Sequence, residues 1–188
     1  PLDGFRKVSV LDALVERFDL IFRKEQNFSV DHTPVGYPAI EIEKDWASES
    51  EKRSVIALVR VNHAGEVSAQ GLYLGQAMFS RDQNNFQFLL KAASEERLHL
   101  AWCAHRLKEL KGTASLFTPI WFLGSFVIGA VVSLNGDPVS LGFVEETEKQ
   151  VAAHLAGHLA RIPHDDNVTR SILQRMREEE LVHGESAE

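Results

Sequence analysis

Residues 96–99, Glu-Arg-Leu-His, and residues 180–183, Glu-Leu-Val-His, are two copies of one pattern, an acid followed three positions later by a histidine. In a helix, residues three apart lie on the same face one turn apart, so each copy can present a carboxylate and an imidazole toward one point. A lone glutamate precedes each copy at a similar distance: Glu66 lies 30 positions before the first copy, and Glu148 lies 32 positions before the second. The second half of the chain therefore nearly repeats the first.

The combined pattern is typical of a dimetal site. Four-helix bundles that hold a carboxylate-bridged pair of iron or manganese ions use two lone glutamates and two Glu-x-x-His pairs, one set per helix. Four carboxylates that converge in a core without cations would repel one another and lose hydration. One Glu-x-x-His alone is usually a solvated surface pair, so the second inward-facing copy is decisive. The predicted metal ligands are Glu66, Glu96, His99, Glu148, Glu180 and His183.

Composition limits the other function classes. The 188 residues suffice for one domain with a substantial core. Hydrophobic residues make up 44% and charged residues 25%, as in ordinary globular proteins, which argues against disorder of the whole chain. The net charge of −7 and the lack of a basic patch in the sequence argue against a nucleic-acid partner. Cys103 is the single cysteine, which excludes an internal disulfide and a thiolate metal site made by this chain alone.

The first 50 residues form a separate predicted unit. Apolar residues at three- and four-residue spacing over residues 9–23 predict an amphipathic helix that packs on another element. The pattern fails over residues 27–42, where two prolines and a glycine predict an irregular connection.

The remaining unit, residues 51–188, is predicted to be all-α: a ferritin-like four-helix bundle with the N-terminal helical extension and an extra apolar helical segment between the two helix pairs. Its four helices are predicted at about 48–75, 82–110, 139–162 and from 166 onward. Gly112 is predicted to end the second helix. Gly65 and Gly71 are expected to weaken the first of these helices locally, and Gly65 is expected to give close packing or space beside Glu66.

Periodicity selects one of three neighbouring acids on the third bundle helix. Only Glu148 shares an apolar stripe with Val144 and Leu155, whereas the stripes through Glu145 and Glu146 pass through polar residues. Glu148 is therefore the predicted ligand.

Residues 116–134 form a segment of 19 residues without a charge, interrupted by Pro119, Gly124 and Gly129. This is the length at which a membrane span becomes conceivable, but the sequence contains no matching second span. Two interpretations stay open at this point. The segment is either a connecting helix buried in the bundle, or a helix that lies in or dips into a bilayer.

Four more side chains are candidates for supporting roles. Tyr73 lies two turns past Glu66 on its stripe and is predicted to be a core aromatic whose hydroxyl finds a partner. For His154, a role beside the metal ligands or on the substrate side is weighed equally with core packing. His63 is expected to make a hydrogen bond near the site rather than to ligate, and His158 is expected to be partly exposed. Tyr73 and His154 are the two catalytic candidates.

From about residue 54 onward, the chain resembles the demethoxyubiquinone hydroxylase family of membrane-associated, ferritin-like di-iron monooxygenases. The resemblance rests on Asn-His-Ala-Gly-Glu at residues 62–66, on the two Glu-x-x-His motifs, and on the pair Glu148 and His154. It implies two iron ions (Fe²⁺/Fe³⁺) with bridging carboxylates. One iron would be held by Glu66, Glu96 and His99, and the other by Glu148, Glu180 and His183.

The resemblance also implies the reaction and its partners. The expected activity is hydroxylation, with dioxygen and an external electron donor, of the ring of a demethoxy-ubiquinol that carries a polyprenyl tail. The expected location is peripheral, on the cytoplasmic face of a bacterial inner membrane or on the mitochondrial inner membrane of a eukaryote. A homo-oligomer or another protein of ubiquinone biosynthesis as partner stays open. The alternatives are a ferritin-like di-iron quinol oxidase and an iron-storage protein.

Overall fold

The computed structural model of the chain describes residues 48–186, together with Arg17, residues 33–38 and Trp46. The helix predicted over residues 9–23 lies outside the described residues apart from Arg17. The predicted connection over 27–42 is described only at 33–38. The division into units 1–50 and 51–188 therefore stays a prediction.

Five α-helices and no strand lie within the described residues. The helices are α1 (Glu49–Phe79), α2 (Gln83–Glu109), α3 (Thr118–Leu134), α4 (Asp137–Leu159) and α5 (Asn167–Ser186). Helix α1 packs against α2, and α4 packs against α5, while α3 connects the two pairs and packs mainly on α1. This arrangement confirms the prediction of an all-α four-helix bundle with an extra helix between the pairs.

Polar caps begin the first two helices close to the predicted positions. The Ser48 hydroxyl accepts a hydrogen bond from the Glu51 amide at 3.1 Å, and the Asp82 carboxylate accepts from the amides of Asn84 and Asn85. Such caps satisfy amide groups that have no partner within the helix. They explain why α1 and α2 begin where they do.

The end of α2 differs in detail from the prediction. Lys111 takes the left-handed conformation with φ of 58°, and the amide of Gly112 then donates to the Leu107 carbonyl at 2.7 Å. Gly112 is needed for another reason: a Cβ at this position would lie 2.8 Å from the Ile56 side chain. The glycine therefore permits close packing on α1, and the lysine adopts the conformation that glycine usually supplies.

Asp137, the first residue of α4, joins the two helix pairs. Its carboxylate accepts hydrogen bonds from the Ser80 hydroxyl at 2.8 Å and from the amides of Arg81 and Asp82. These donors lie in the short connection between α1 and α2. The corner of the first pair is therefore fixed against the start of the second pair.

Helix α3 approaches α1 at backbone distance through glycines. A Cβ at Gly71 or Gly75 of α1 would collide with backbone carbonyls of α3, and a Cβ at Gly129 of α3 would collide with the Leu72 carbonyl of α1. The opposite face of α3 is apolar and exposed, with Leu123 62% and Val127 53% accessible. The interpretation of a helix buried in the bundle is therefore wrong, because only one face of α3 has a partner among the described residues.

None of the helices in the described part of the chain is both long and apolar enough to cross a bilayer.

Two apolar clusters fill the bundle, one toward each end. The first includes Leu72, Leu89 and Val144, and the second includes Val55, Cys103, Leu155 and Met176. Helices α1, α2 and α4 contribute to both clusters, and the predicted metal ligands on these three helices occur in sequence between the two contributions. The fold therefore places a polar layer between two dry ones.

Candidate metal centre

Each of the four bundle helices carries one buried acid into the polar layer. The acids are Glu66 on α1, Glu96 on α2, Glu148 on α4 and Glu180 on α5, and each is at most 3% exposed. They occupy positions of apolar stripes, so helix periodicity turns them inward. His99 and His183 follow one turn after their acids. The His99 side chain is fully buried and the His183 side chain is 14% exposed.

The structure brings all six predicted ligands together in two overlapping groups. One group contains Glu66, Glu96, His99 and Glu180, and the other contains Glu96, Glu148, Glu180 and His183. Within each group the potential ligand atoms lie within 4.8 Å of one another. Because Glu96 and Glu180 belong to both groups, the geometry suits two neighbouring ions that share two carboxylates. The cluster can hold metal, while ligation by these six residues stays a prediction.

The distances within the groups fit metal coordination. His99 Nδ1 lies 3.1 Å from Glu180 Oε1 and 3.6 Å from Glu66 Oε2, and His183 Nδ1 lies 3.6 Å from Glu180 Oε2. Two atoms that each lie about 2.1 Å from one cation are separated by roughly 3.0 to 3.6 Å at angles between about 90° and 120°. The groups therefore have the size that a small cation requires.

Unsatisfied polar atoms in the layer support the same conclusion. Both carboxylate oxygens of Glu96 and of Glu180, and Nδ1 of His99 and of His183, are buried without a hydrogen-bond partner among the described residues. Buried polar atoms in native proteins nearly always have partners, and cations would satisfy all six of these atoms together. The donor set of carboxylates and imidazoles fits iron or manganese.

The electrostatics of the layer show how strongly it needs positive charge. Burial, with the neighbouring Glu180, raises the pKa of Glu148 to about 11, and burial raises the pKa of Glu66 well above its usual range. Burial would also raise the pKa of Glu180, but the neighbouring imidazoles of His183 and His99 outweigh it and hold this pKa below the ordinary value. Protons balance the charge of the metal-free layer, so metal binding must release protons.

Tyr73 makes the contact that its position predicted. It is fully buried, and its hydroxyl donates a hydrogen bond to Glu148 Oε1 at 2.5 Å. Burial and the adjacent Glu148 raise the pKa of Tyr73 well above its usual value, so the phenol keeps its proton. Tyr73 therefore orients one of the two Glu148 oxygens.

A cavity of about 500 Å³ lies beside the metal centre between α1, α3 and α4, and we call it the α1–α4 cavity. Glu66 contributes to its wall, as do Gly65 of α1, Trp121 of α3 and His154 of α4. No described atom lies within 4 Å of a Cβ at Gly65, so this glycine gives space beside Glu66. His154 lies on the cavity wall, outside both ligand groups. The role of His154 therefore stays a prediction.

Two other histidines differ from expectation. His158 is 6% exposed rather than partly exposed, and its Nδ1 donates to Asn62 Oδ1 at 2.7 Å. Its position three residues after the buried Leu155 is the signal that could have predicted this burial. His63 is buried, but its Nδ1 has no hydrogen-bond partner among the described residues, so the expected bond near the site is not found there.

The competing acids on α4 lie on the outer side of the helix. Glu145 pairs with Lys149, and Glu146 accepts a hydrogen bond from Gln150 at 2.7 Å. Glu148 is 1% exposed. The choice of Glu148 from the apolar stripe therefore agrees with its burial.

Sequence analysis missed two acids at the edge of the layer. Glu179 Oε2 lies 2.8 Å from Nε2 of His99, and Glu95 Oε2 lies 3.1 Å from Nε2 of His183. Each directly precedes the inward acid of a Glu-x-x-His motif, so the doubled glutamate was the available signal. These acids contact the histidines on the nitrogen that faces away from the metal centre.

The fold and the carboxylate–histidine layer define a ferritin-like helical bundle whose buried cluster can hold metal. The family model of "Ubiquinone biosynthesis protein COQ7" matches residues 53–188, and the chain belongs to this family. The resemblance that was drawn from the motifs is thereby confirmed.

Curated relatives carry one functional name. The chain is 52% identical over 140 residues to the 3-demethoxyubiquinol 3-hydroxylase of Ralstonia pickettii, and this match covers 74% of the chain and 64% of the relative. It is 46% identical over 184 residues to the protein of the same name from Bordetella pertussis, with 97% and 82% covered. The chain thus spans just under two thirds of the length of the Ralstonia relative.

Proposed function

We propose that the chain is a di-iron monooxygenase that hydroxylates the ring of a demethoxy-ubiquinol in ubiquinone biosynthesis. The observation that carries this proposal is that Glu66, a predicted metal ligand, and Trp121, on the apolar helix α3, line the same cavity. A quinol with a polyprenyl tail needs this combination, since its ring must reach the metal centre and its tail must stay in apolar surroundings. The names of the relatives support the substrate.

Two bound iron ions would supply the redox chemistry by which dioxygen is reduced. In the balanced reaction, one oxygen atom converts a ring C–H bond into C–OH, and the other oxygen atom leaves as water. This stoichiometry requires two electrons and two protons from an external donor. An electron donor is therefore a partner of the proposed enzyme, in addition to quinol and dioxygen.

The residues of the layer hold and orient the metal centre in this proposal. Six protein ligands shared by two ions leave coordination positions open, as oxygen chemistry requires. We assign Glu66, Glu96 and His99 to one ion and Glu148, Glu180 and His183 to the other, with Glu96 and Glu180 near enough to contact both. The hydrogen bond from Tyr73 keeps Glu148 in one orientation, and the apolar clusters on both sides exclude water.

The α1–α4 cavity is the proposed quinol site. Its volume of about 500 Å³ lies within the usual range for small-molecule sites. We place the quinol ring beside Gly65 and Glu66, and the start of the tail beside Trp121. Thr147, Gln150 and His154 are the polar residues that line this space from α4, and we assign to His154 a hydrogen bond with a ring oxygen.

The exposed face of α3 is the proposed membrane contact. The helix contains no charged residue, and its accessible apolar side chains adjoin the rim of the α1–α4 cavity at Trp121. A helix of this kind binds a bilayer surface by burying its apolar face at the headgroup boundary. We propose peripheral association through α3, on the cytoplasmic face of a bacterial inner membrane or on the mitochondrial inner membrane of a eukaryote.

A single-turnover experiment tests the activity. The purified iron-loaded chain is reduced without oxygen in the presence of a demethoxy-quinol analogue and is then exposed to ¹⁸O₂. Mass analysis is expected to show a product with one labelled oxygen atom.

The two rival functions give different results in the same experiment. A quinol oxidase would form labelled water and quinone without a hydroxylated product. An iron-storage protein would take up many iron ions per chain rather than two. Either outcome contradicts the proposal.

A further inference from the structure

Glu95 and Glu179 form crossed contacts between the two Glu-x-x-His motifs. Glu179 belongs to the motif on α5 and accepts a hydrogen bond from His99 of α2 at 2.8 Å. Glu95 belongs to the motif on α2 and lies 3.1 Å from His183 of α5. Each motif therefore supplies an acid to the histidine of the other motif.

Helix geometry explains why the same two-residue sequence produces both contacts. Successive residues of a helix are about 100° apart around its axis. When the second glutamate of each doublet points into the layer, the first is turned toward the edge where α2 and α5 meet. The side chains of Glu95 and Glu179 are accordingly 32% and 29% exposed.

The contacts determine which imidazole nitrogen is available to a metal ion. Nδ1 of His99 faces the carboxylates of the layer, 3.1 Å from Glu180, while its Nε2 faces Glu179. A neutral imidazole carries one N–H group, and a carboxylate beside Nε2 retains the proton there. The lone pair is then on Nδ1. Metal-binding histidines commonly donate their second nitrogen to a carboxylate in this way.

We infer that Glu95 and Glu179 are positioning residues, which hold the two histidines with Nδ1 directed at the bound ions. This inference rests on the proposed function, because it takes both histidines as metal ligands. Since the contacts are crossed, neither imidazole is aligned unless α2 and α5 are packed together.

The two contacts are not equivalent. Glu179 forms an ion pair with Arg175, whose Nε lies 2.6 Å from Glu179 Oε1. The histidine that Glu179 contacts, His99, is fully buried. Glu95 forms an ion pair with Lys91 at 3.3 Å, and the histidine that it contacts, His183, is partly exposed. We therefore expect removal of Glu179 to weaken metal binding more than removal of Glu95.

Titration of the full metal-free chain with Co²⁺ tests the inference, because it reports affinity and the ligand field of the ion without any turnover. Glu179→Leu is expected to bind Co²⁺ about 10- to 100-fold more weakly, with an altered visible spectrum. Glu95→Leu is expected to show a smaller loss. Glu179→Gln retains an oxygen acceptor and is expected to recover part of the affinity and the spectrum.

Glu178→Leu is the matched control, because Glu178 is the exposed neighbour of Glu179 and is expected to leave Co²⁺ binding unchanged. Equal affinities and spectra for Glu179→Leu and the wild type would overturn the inference, and so would an equal loss in Glu178→Leu. If Glu179→Leu does not fold, Glu179→Gln is compared with Glu178→Gln, and equal affinities overturn the inference. A wild-type chain that binds no Co²⁺ would instead contradict the metal site itself.

Discussion

The two sides of the metal centre differ in chemistry although one repeated motif builds the centre. On one side, the α1–α4 cavity has mainly apolar walls and meets the apolar helix α3 at Trp121. On the other side, a cleft of about 460 Å³ between α2 and α5 combines apolar residues such as Phe88 and Leu98 with the charged residues Lys91, Arg175 and Glu178, and it reaches His183. We call this second space the α2–α5 cleft.

The difference indicates a division of roles. Among the described residues that line the α1–α4 cavity, Glu66 alone is charged, which suits the proposed quinol. On the other side, the carboxylates of Glu179 and Glu95 contact the outer nitrogens of the two histidines. Glu66 faces the first side and His183 faces the second. Substitutions can therefore be chosen to affect both sides, one side or neither.

The largest effect is expected from the acids that both ligand groups share. Glu180→Ala removes a ligand atom from each group and is expected to abolish iron binding and to reduce turnover below about 1% of wild type, since changes outside the ligand shell already cost 10- to 100-fold. Iron content and turnover are the measurements. Glu146→Ala, on the outer face of α4, is the control. Full iron content in Glu180→Ala would contradict the assigned centre.

Filling the α1–α4 cavity is expected to separate substrate binding from metal binding. Gly65→Leu places a side chain beside Glu66 and is expected to lower kcat/KM about 10-fold or more, with unchanged iron content. Gly157→Leu is a matched control on the exposed surface of α4. Both replacements should raise helix stability by up to about 1 kcal/mol. Normal kcat/KM in a stable Gly65→Leu would place the quinol elsewhere.

Vesicle binding tests which side faces the membrane. Replacing both Leu123 and Val127 of α3 with glutamate is expected to weaken binding to liposomes about 10-fold or more. The variant loses two apolar side chains that would otherwise move from water into the bilayer surface on binding. The same double replacement at Leu98 of α2 and Leu181 of α5, which are exposed apolar residues outside α3, should leave flotation with liposomes unchanged. Similar losses in both double variants would remove the distinction between the sides.

The smallest expected effect concerns the buried His158 near the α1–α4 cavity. Burial, with His154 and Arg161 nearby, lowers the pKa of His158 from 6.5 to about 4. Between these values the unfolded chain binds a proton that the folded chain does not, so His158 lowers stability as the pH falls from about 6.5 to about 4.

His158→Gln removes this titration and can retain a hydrogen bond to Asn62. The decrease in Tm between pH 7 and pH 5 is expected to be smaller by roughly 4–7 °C in this variant. His164→Gln, at an exposed position, is the control. A pH dependence identical to that of the wild type would show that His158 does not titrate in this window.

The fold was largely predictable because its signals are local. The apolar stripes predicted the helices within a few residues, and Ser48 and Asp82 cap two of them close to the predicted starts. The packing of α3 was not predictable, because a glycine within a helix has the same sequence signature whatever lies beside it. Gly65 has space beside it, which was one of the two expectations for this residue. Gly71 admits the backbone of another helix, yet in the sequence it appeared only as a weak point of α1.

The central layer was also predictable, since the six side chains interrupt apolar stripes at regular spacing. Glu95 and Glu179 were not, because they lie one residue away from those stripes and resemble solvated acids in the sequence. Their partners are on another helix, at separations of 80 and 88 residues. Only the packing of α2 against α5 reveals these contacts.

The glycine contacts between α1 and α3 have a mechanical consequence. Because the two backbones touch at Gly71, Gly75 and Gly129, α3 cannot move away from α1 without leaving a gap in the interface between the two helices. Glu66 lies five residues from Gly71, which is about 7.5 Å along the axis of α1. Helix α3 is therefore held in place against α1, and if α3 binds a lipid surface as proposed, its depth there sets the height of the carboxylate–histidine layer above that surface.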